Sequence, residues 1–155
     1  MWFIGDVHGK MKEYLSIINQ LGNTNESIQV GDFGVGFVDI PQIPINHKFI
    51  HGNHDNLHLC ATIPNFLGRY GTYKNIFFVS GAFSIDNGAR TPNVNWWNSE
   101  ELTYSEQIKC RELYNNNKPR VVVTHDCPFF LYKTFRQNVG GCVFVCLDEL
   151  ETFKI

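Results

Sequence analysis

Short apolar runs, each ending in glycine or a polar residue, alternate with helical patterns along the first half of this chain. Residues 2–4, Trp-Phe-Ile, stop at Gly5-Asp6 and read as a buried strand entering a loop. Over residues 11–21 the apolar positions Met11, Tyr14, Leu15, Ile18 and Leu21 recur at helical spacing, and Gly22 supplies a stop. A second strand is expected over 27–30, ending at Gly31-Asp32. The glycine-rich stretch 31–36 leads into Pro41-Gln42-Ile43-Pro44, which excludes regular structure. Residues 48–50 predict a third strand, ending at His51-Gly52-Asn53, and residues 56–61 one or two helical turns.

The middle of the chain changes character. Residues 69–74, 76–80 and 82–85 are aromatic and β-branched, with Asn75 and Gly81 between them, and predict an antiparallel hairpin or meander. Residues 103–117 predict a helix. Thr103 and Glu106 have capping-box spacing, and Tyr104, Ile108 and Leu113 roughly share a face. Residues 120–123 form another buried strand, ending at Thr124-His125-Asp126. After about Arg136 the pattern weakens: a Gly140-Gly141 break precedes CVFVCLDEL, which suits strand and helix alike. This order of elements implies an α/β (α+β) layered fold with a mixed sheet core. In such sheets ligands gather at the carboxyl ends of the strands.

Composition narrows the class. A chain of 155 residues is one domain at ~150 residues per domain, so residues 1–155 are expected to form a single unit, altered after about residue 136. With 43% apolar and only 18% charged residues, an intrinsically disordered chain is excluded. A net charge of −2 offers no broad basic field, so long nucleic acid is not an expected partner. Phosphorylated small molecules remain open, because a bound metal can supply the positive charge. Five scattered cysteines make no disulfide framework and suit a reducing, cytoplasmic setting. The opening MWFIGDVHGK lacks a basic region followed by an apolar stretch, so no signal peptide is expected. Runs such as IFFV and CVFVCL are too short to cross a membrane.

The chemistry lies at the strand ends. Asp6-x-His8, Asp32, Asn53-His54-Asp55 and His125-Asp126 each follow an expected strand. Singly, each is readable as a turn or cap. Two residues apart on extended backbone, Asp6 and His8 would point the same way and reach one ion. Together, the mixed nitrogen and oxygen donors suit Zn, Mn, Fe or Ni. One carboxylate such as Asp32 can bridge two ions, and glycines beside the ligands permit close approach of backbone and substrate. Two metals ~3.5–4 Å apart polarise a phosphoryl group and hold a hydroxide between them.

Asp6-x-His8, Gly31-Asp32-x-Gly34, Gly52-Asn53-His54-Asp55 and the later His125 resemble, in this order, the signature of the calcineurin-like metallophosphoesterases. The stretch GAFSIDNGARTPNVNWWNSEEL is similar to that of small bacterial and phage members. The resemblance implies a two-sheet β-sandwich flanked by helices, and a hydrolase of phosphoric esters with two divalent ions, Mn²⁺ first among the expected metals. It implies that Asp6 and His8 hold one ion, that Asp32 bridges, and that Asn53 and His125 hold the second. His54 would be general acid or phosphate contact, oriented by Asp55. The arginine that grips phosphate in protein phosphatases of the family has no counterpart after Gly31-Asp32-Phe33-Gly34; Arg90 or Arg69 could take its place, with ion pairing the expected role of each.

The family's closing Gly-His-x-His has no match after His125. The expectation is therefore a domain lacking its C-terminal strand, weaker metal binding, and an exposed sheet edge open to a partner or to self-association. The alternative function is a catalytically impaired remnant that binds metal or phosphate weakly. His47, His51 and His58 are extra imidazoles with packing or surface roles.

Overall fold

The computed structural model describes residues 1–22, 24–126 and the backbone of 144–147. Among the described residues, seven strands form two sheets. In the first, β1 (Trp2–Ile4), β2 (Ser27–Val30) and β3 (His47–Ile50) run parallel in the order β1-β2-β3. In the second, β4 (Tyr70–Tyr73) and β5 (Ile76–Val79) make an antiparallel hairpin, β6 (Val121–Thr124) joins β5 in parallel, and β7 (Phe144–Leu147) joins β6 antiparallel.

The sheets pack face to face. Ile28, Val30 and Ile50 of the first meet Ile76, Phe78 and Val123 of the second in one apolar cluster. The opposite face of the first sheet carries α1 (Met11–Leu21), whose Tyr14 and Ile18 pack with Phe33 and Phe49. The outer face of the second carries α3 (Tyr104–Asn117), through Cys110 against Phe77 and Val122. The result is a two-sheet sandwich with a helix on each outer face. β2 is buried along its whole length, as expected for a parallel strand covered on both sides.

Local signals account for most boundaries. The Thr103 hydroxyl accepts from the Glu106 amide, and the Glu106 carboxylate accepts from the Thr103 amide, which starts α3 with a capping box. Asn56 caps the short α2 (Leu57–Cys60) by accepting from the His58 and Leu59 amides. One expectation needs correction. Residues 82–85 do not continue a meander: Ser84 gives its amide and hydroxyl to the Glu100 side chain instead of a ladder. The neighbour of β5 on its other side is therefore β6, 45 residues on, and parallel. Of the ambiguous segment CVFVCLDEL, residues 144–147 are strand; the rest of that segment, and the altered segment expected after Arg136, otherwise lie outside the described residues. No described helix is long and apolar enough to cross a membrane.

Candidate metal centre

Because β1, β2 and β3 are parallel, their carboxyl ends emerge on one side of the sandwich, and His125 reaches the same place from the end of β6. The loop after β1 is fastened to the loop after β2. The Asp32 carbonyl accepts from the amides of Val7 (3.1 Å) and His8 (2.8 Å). Beneath them Gln29, wholly buried, donates to the carbonyls of Gly5 and Gly31 and accepts from the Gly31 amide. His8 and Asp32 both occupy the left-handed region, at φ 46° and 52°. Such strain costs about 1–3 kcal/mol per residue and gathers at functional sites. Asp6 and His8 thus converge through a left-handed turn, not through the strand alternation expected from the sequence.

The polar atoms face one another across a small space. Donor atoms of Asp6, His8 and Asp32 lie within 4.8 Å of one another, with His8 Nε2 at 3.7 Å from Asp6 Oδ2 and 3.8 Å from Asp32 Oδ2. On the other side, His125 Nε2 lies 3.4 Å from Asp32 Oδ1 and 3.2 Å from Asn53 Oδ1. His125 Nδ1 donates to the Val30 carbonyl (2.9 Å), so Nε2 presents a lone pair to the site in the tautomer that carries one ring proton. That lone pair, a carboxylate oxygen and an amide oxygen therefore converge with no proton of their own to share. Acceptors brought this close repel unless a cation or a proton stands among them. A cradle surrounds them: a Cβ on Gly52 would strike Asp32 Oδ1 and His125 Nε2, and one on Gly31 would strike the His125 ring.

His54 is half exposed. Its amide donates to Asp32 Oδ1 (3.0 Å) and its Nε2 lies 3.9 Å from Asp32 Oδ2. Its ring partner is Arg90, whose Nη2 donates to His54 Nε2 (2.7 Å) and pairs with Asp86 (2.8 Å). Asp55 does not orient His54. Its two oxygens accept from four backbone amides, Phe33 and Gly52 on one, Gly34 and Val35 on the other, at 2.7–3.0 Å. Four donors fill a carboxylate's capacity, so Asp55 shapes the loops after β2 and β3. Burial holds its carboxyl above the usual range, although those four amides pull the other way.

The two arginines differ. Arg69 pairs with Glu106 and donates to the carbonyls of Ser99 and Glu101, a structural clamp. Arg90 keeps Nη1 buried without a hydrogen-bond partner among the described residues. His51 stands behind the site, fully buried, its Nδ1 on the Gly52 carbonyl and its imidazole pushed down to about 4 by burial. His47 is buried at the far end of β3 and His58 is exposed. Sequence reasoning missed Gln29 and Glu100, both buried polar residues; only their contacts in space reveal them.

The model of one protein family, described as calcineurin-like phosphoesterase, matches residues 1–146. Searches of curated proteins and of solved structures each return no significant match.

Proposed function

The chain belongs to the calcineurin-like phosphoesterase family, metal-dependent hydrolases of phosphoesters, and from that premise we propose that it hydrolyses a phosphorylated small molecule with two divalent cations at the strand ends. The observation that carries this reading is the placement of the Asp32 oxygens. Oδ2 faces His8 and Oδ1 faces His125, so one carboxylate addresses both halves of the site. Asp6, His8 and Asp32 would hold one ion, and Asp32, Asn53 and His125 the other. This mixture of imidazole, carboxylate and amide oxygen suits Mn²⁺, with Fe, Zn or Ni as alternatives. Bound there, the pair supplies Lewis acidity toward the phosphoryl oxygens and lowers the pKa of a water between them.

The chain's own residues supply the rest. Arg90, whose Nη2 reaches His54 and whose Nη1 is buried without a partner among the described residues, would turn to grip the phosphoryl group with both donors. In the resting arrangement the Nε2 lone pair of His54 accepts from Arg90. A phosphoryl oxygen is the better acceptor for a guanidinium, so substrate would draw Arg90 away and free the Nε2 lone pair to take a proton from solvent and pass it to the leaving group. General acid catalysis of this kind contributes ~10²–10⁴-fold.

Titration of the purified chain with Mn²⁺, followed by assay on an aryl phosphate and the corresponding bis-ester, tests the reading. Two ions and hydrolysis of at least one ester are expected. His54→Ala should keep both ions and lose rate by ~10²-fold or more. Parallel loss of metal would make His54 a ligand. Full metal loading without turnover of either ester would overturn the hydrolase in favour of a binding module.

A further inference from the structure

The Asn53 side chain can pack in two nearly isosteric ways, and only one offers an oxygen to the site. Its Nδ2 donates to Ser84 Oγ (3.0 Å) while Oδ1 faces His125. Ser84 is wholly buried, and its hydroxyl donates to Glu100 Oε2 (2.6 Å) while its amide donates to Glu100 Oε1 (2.8 Å). Glu100 is itself 3% exposed. A carboxylate carries no proton, so the single hydroxyl hydrogen of Ser84 must point at Glu100. Ser84 Oγ then offers Asn53 only lone pairs, and the amide must turn its NH₂ toward Ser84 and its oxygen toward His125. Reversed, the amide would aim N–H groups at the site and ligate nothing.

Glu100 is held firmly enough to set this polarity. Arg69 binds the carbonyls on both sides of it, at Ser99 and Glu101. Its own amide donates to the Trp97 carbonyl (3.0 Å). Its carbonyl occupies the space that a Cβ on Gly81 would take.

We propose that Glu100 is a positioning residue which, through Ser84, fixes the Asn53 amide with its oxygen toward the second cation. The inference rests on the dinuclear reading above for its consequence, though the amide orientation stands without metal. Residues behind metal ligands typically tune affinity by ~10–100-fold. Glu100→Gln is isosteric but able to donate to Ser84 Oγ, which permits the chain of hydrogen bonds to reverse.

Calorimetric Mn²⁺ titration of Glu100→Gln should show the second ion weakened by ~10–100-fold with the first unchanged, and Mn²⁺ EPR should show the spin-coupled pair replaced by an isolated ion at equal loading. Adding Asn53→Asp to Glu100→Gln should restore the second ion, because a carboxylate presents oxygen on both sides and now accepts from Ser84. A merely structural role for Glu100 predicts no such rescue. In the metal-free protein, the Asn53 side-chain amide should show a nuclear Overhauser contact to the Ser84 β-protons that weakens in Glu100→Gln. Ser84→Ala, which removes the middle link, should weaken the second ion likewise, and it decides the matter if Glu100→Gln does not fold. Unchanged affinity in both variants, absence of rescue, or an unchanged amide contact overturns the proposal. A wild-type chain that takes up fewer than two ions while keeping the amide contact removes the dinuclear reading and leaves the positioning role standing.

Discussion

Polar groups are buried at both ends of the first sheet, and the two ends behave differently. At the amino end, Ser27 and His47 begin β2 and β3 and are essentially inaccessible. Ser27 Oγ meets His47 Nδ1 at 2.8 Å, the Asn46 amide group reaches His47 Nε2, and Asn65 donates to the carbonyls of Pro44 and His47. Each of these four contacts pairs a donor with an acceptor. At the carboxyl end, Asp32 Oδ1, Asn53 Oδ1 and His125 Nε2 bring acceptor against acceptor. Burial of polar groups is common to both ends, so it does not mark the functional one. The mark is a set of groups whose needs are not met by each other, beside left-handed backbone at His8 and Asp32.

The comparison breaks most sharply at Asp32. Asp32→Ala should abolish tight binding of both ions and reduce hydrolysis to background, because this buried carboxylate turns one oxygen to His8 Nε2 and the other to His125 Nε2. Equilibrium dialysis against Mn²⁺ and the ester assay read the outcome. Two tightly held ions in that variant would assign the bridge elsewhere.

Asp55 sharpens the contrast from within the site. It lies among the candidate ligands, yet its pairing is of the amino-end kind, with each oxygen filled by two amides. Asp55→Ala should therefore act first on folding. Four buried N–H groups would lose their acceptor, a cost of at least about 4 kcal/mol at about 1–3 each. A urea midpoint close to that of the wild type, with activity alone lost, would instead give Asp55 a direct part in chemistry.

The sequence made the strand ends legible because each ligand cluster begins within three residues of a run whose apolar pattern is local. The capping box of α3 was readable for the same reason. What was not readable depends on partners far along the chain. Residues 82–85 have strand-like composition, yet Ser84 is claimed by Glu100 sixteen residues later. Asp55 looked like an orienter of its neighbour His54 until the amides of Phe33, Gly34 and Val35 proved to surround it. Of Arg69 and Arg90, the sequence had no means to choose. Only contacts with Glu106, Ser99 and Glu101 assign Arg69 to the scaffold.

A smaller effect is expected at Arg90. If its unpartnered Nη1 takes a phosphoryl oxygen, Arg90→Ala should lower kcat/KM by about 10²-fold, as loss of one aimed donor does elsewhere, with metal content unchanged. Arg90→Lys should recover little, since a point charge cannot grip with two donors. Loss confined to thermal stability, with kcat/KM intact, would place Arg90 with Arg69 as a structural ion pair.

The smallest effect belongs to the closed end and tests whether it is only structural. Burial lowers the pKa of His47 from the usual 6.5. The folded chain then resists the proton that the unfolded chain accepts below about pH 6.5. Where the unfolded state binds more protons, stability rises with pH, so His47 contributes stability that is complete above that pH and is lost as pH falls toward its folded value. His47→Gln keeps a donor and an acceptor but cannot titrate. In metal-free protein the thermal midpoint of the wild type should therefore fall more between pH 7.5 and 5.5 than that of the variant. His51, whose imidazole is also held low, titrates in both proteins and cancels from the difference. At pH 7.5 the variant should be less stable by about 1 kcal/mol, the worth of an ordinary hydrogen bond, and should bind Mn²⁺ as the wild type does. Parallel midpoints across the pH range would show that His47 takes its proton while folded. A change in Mn²⁺ affinity would show that the two ends of the sheet are coupled.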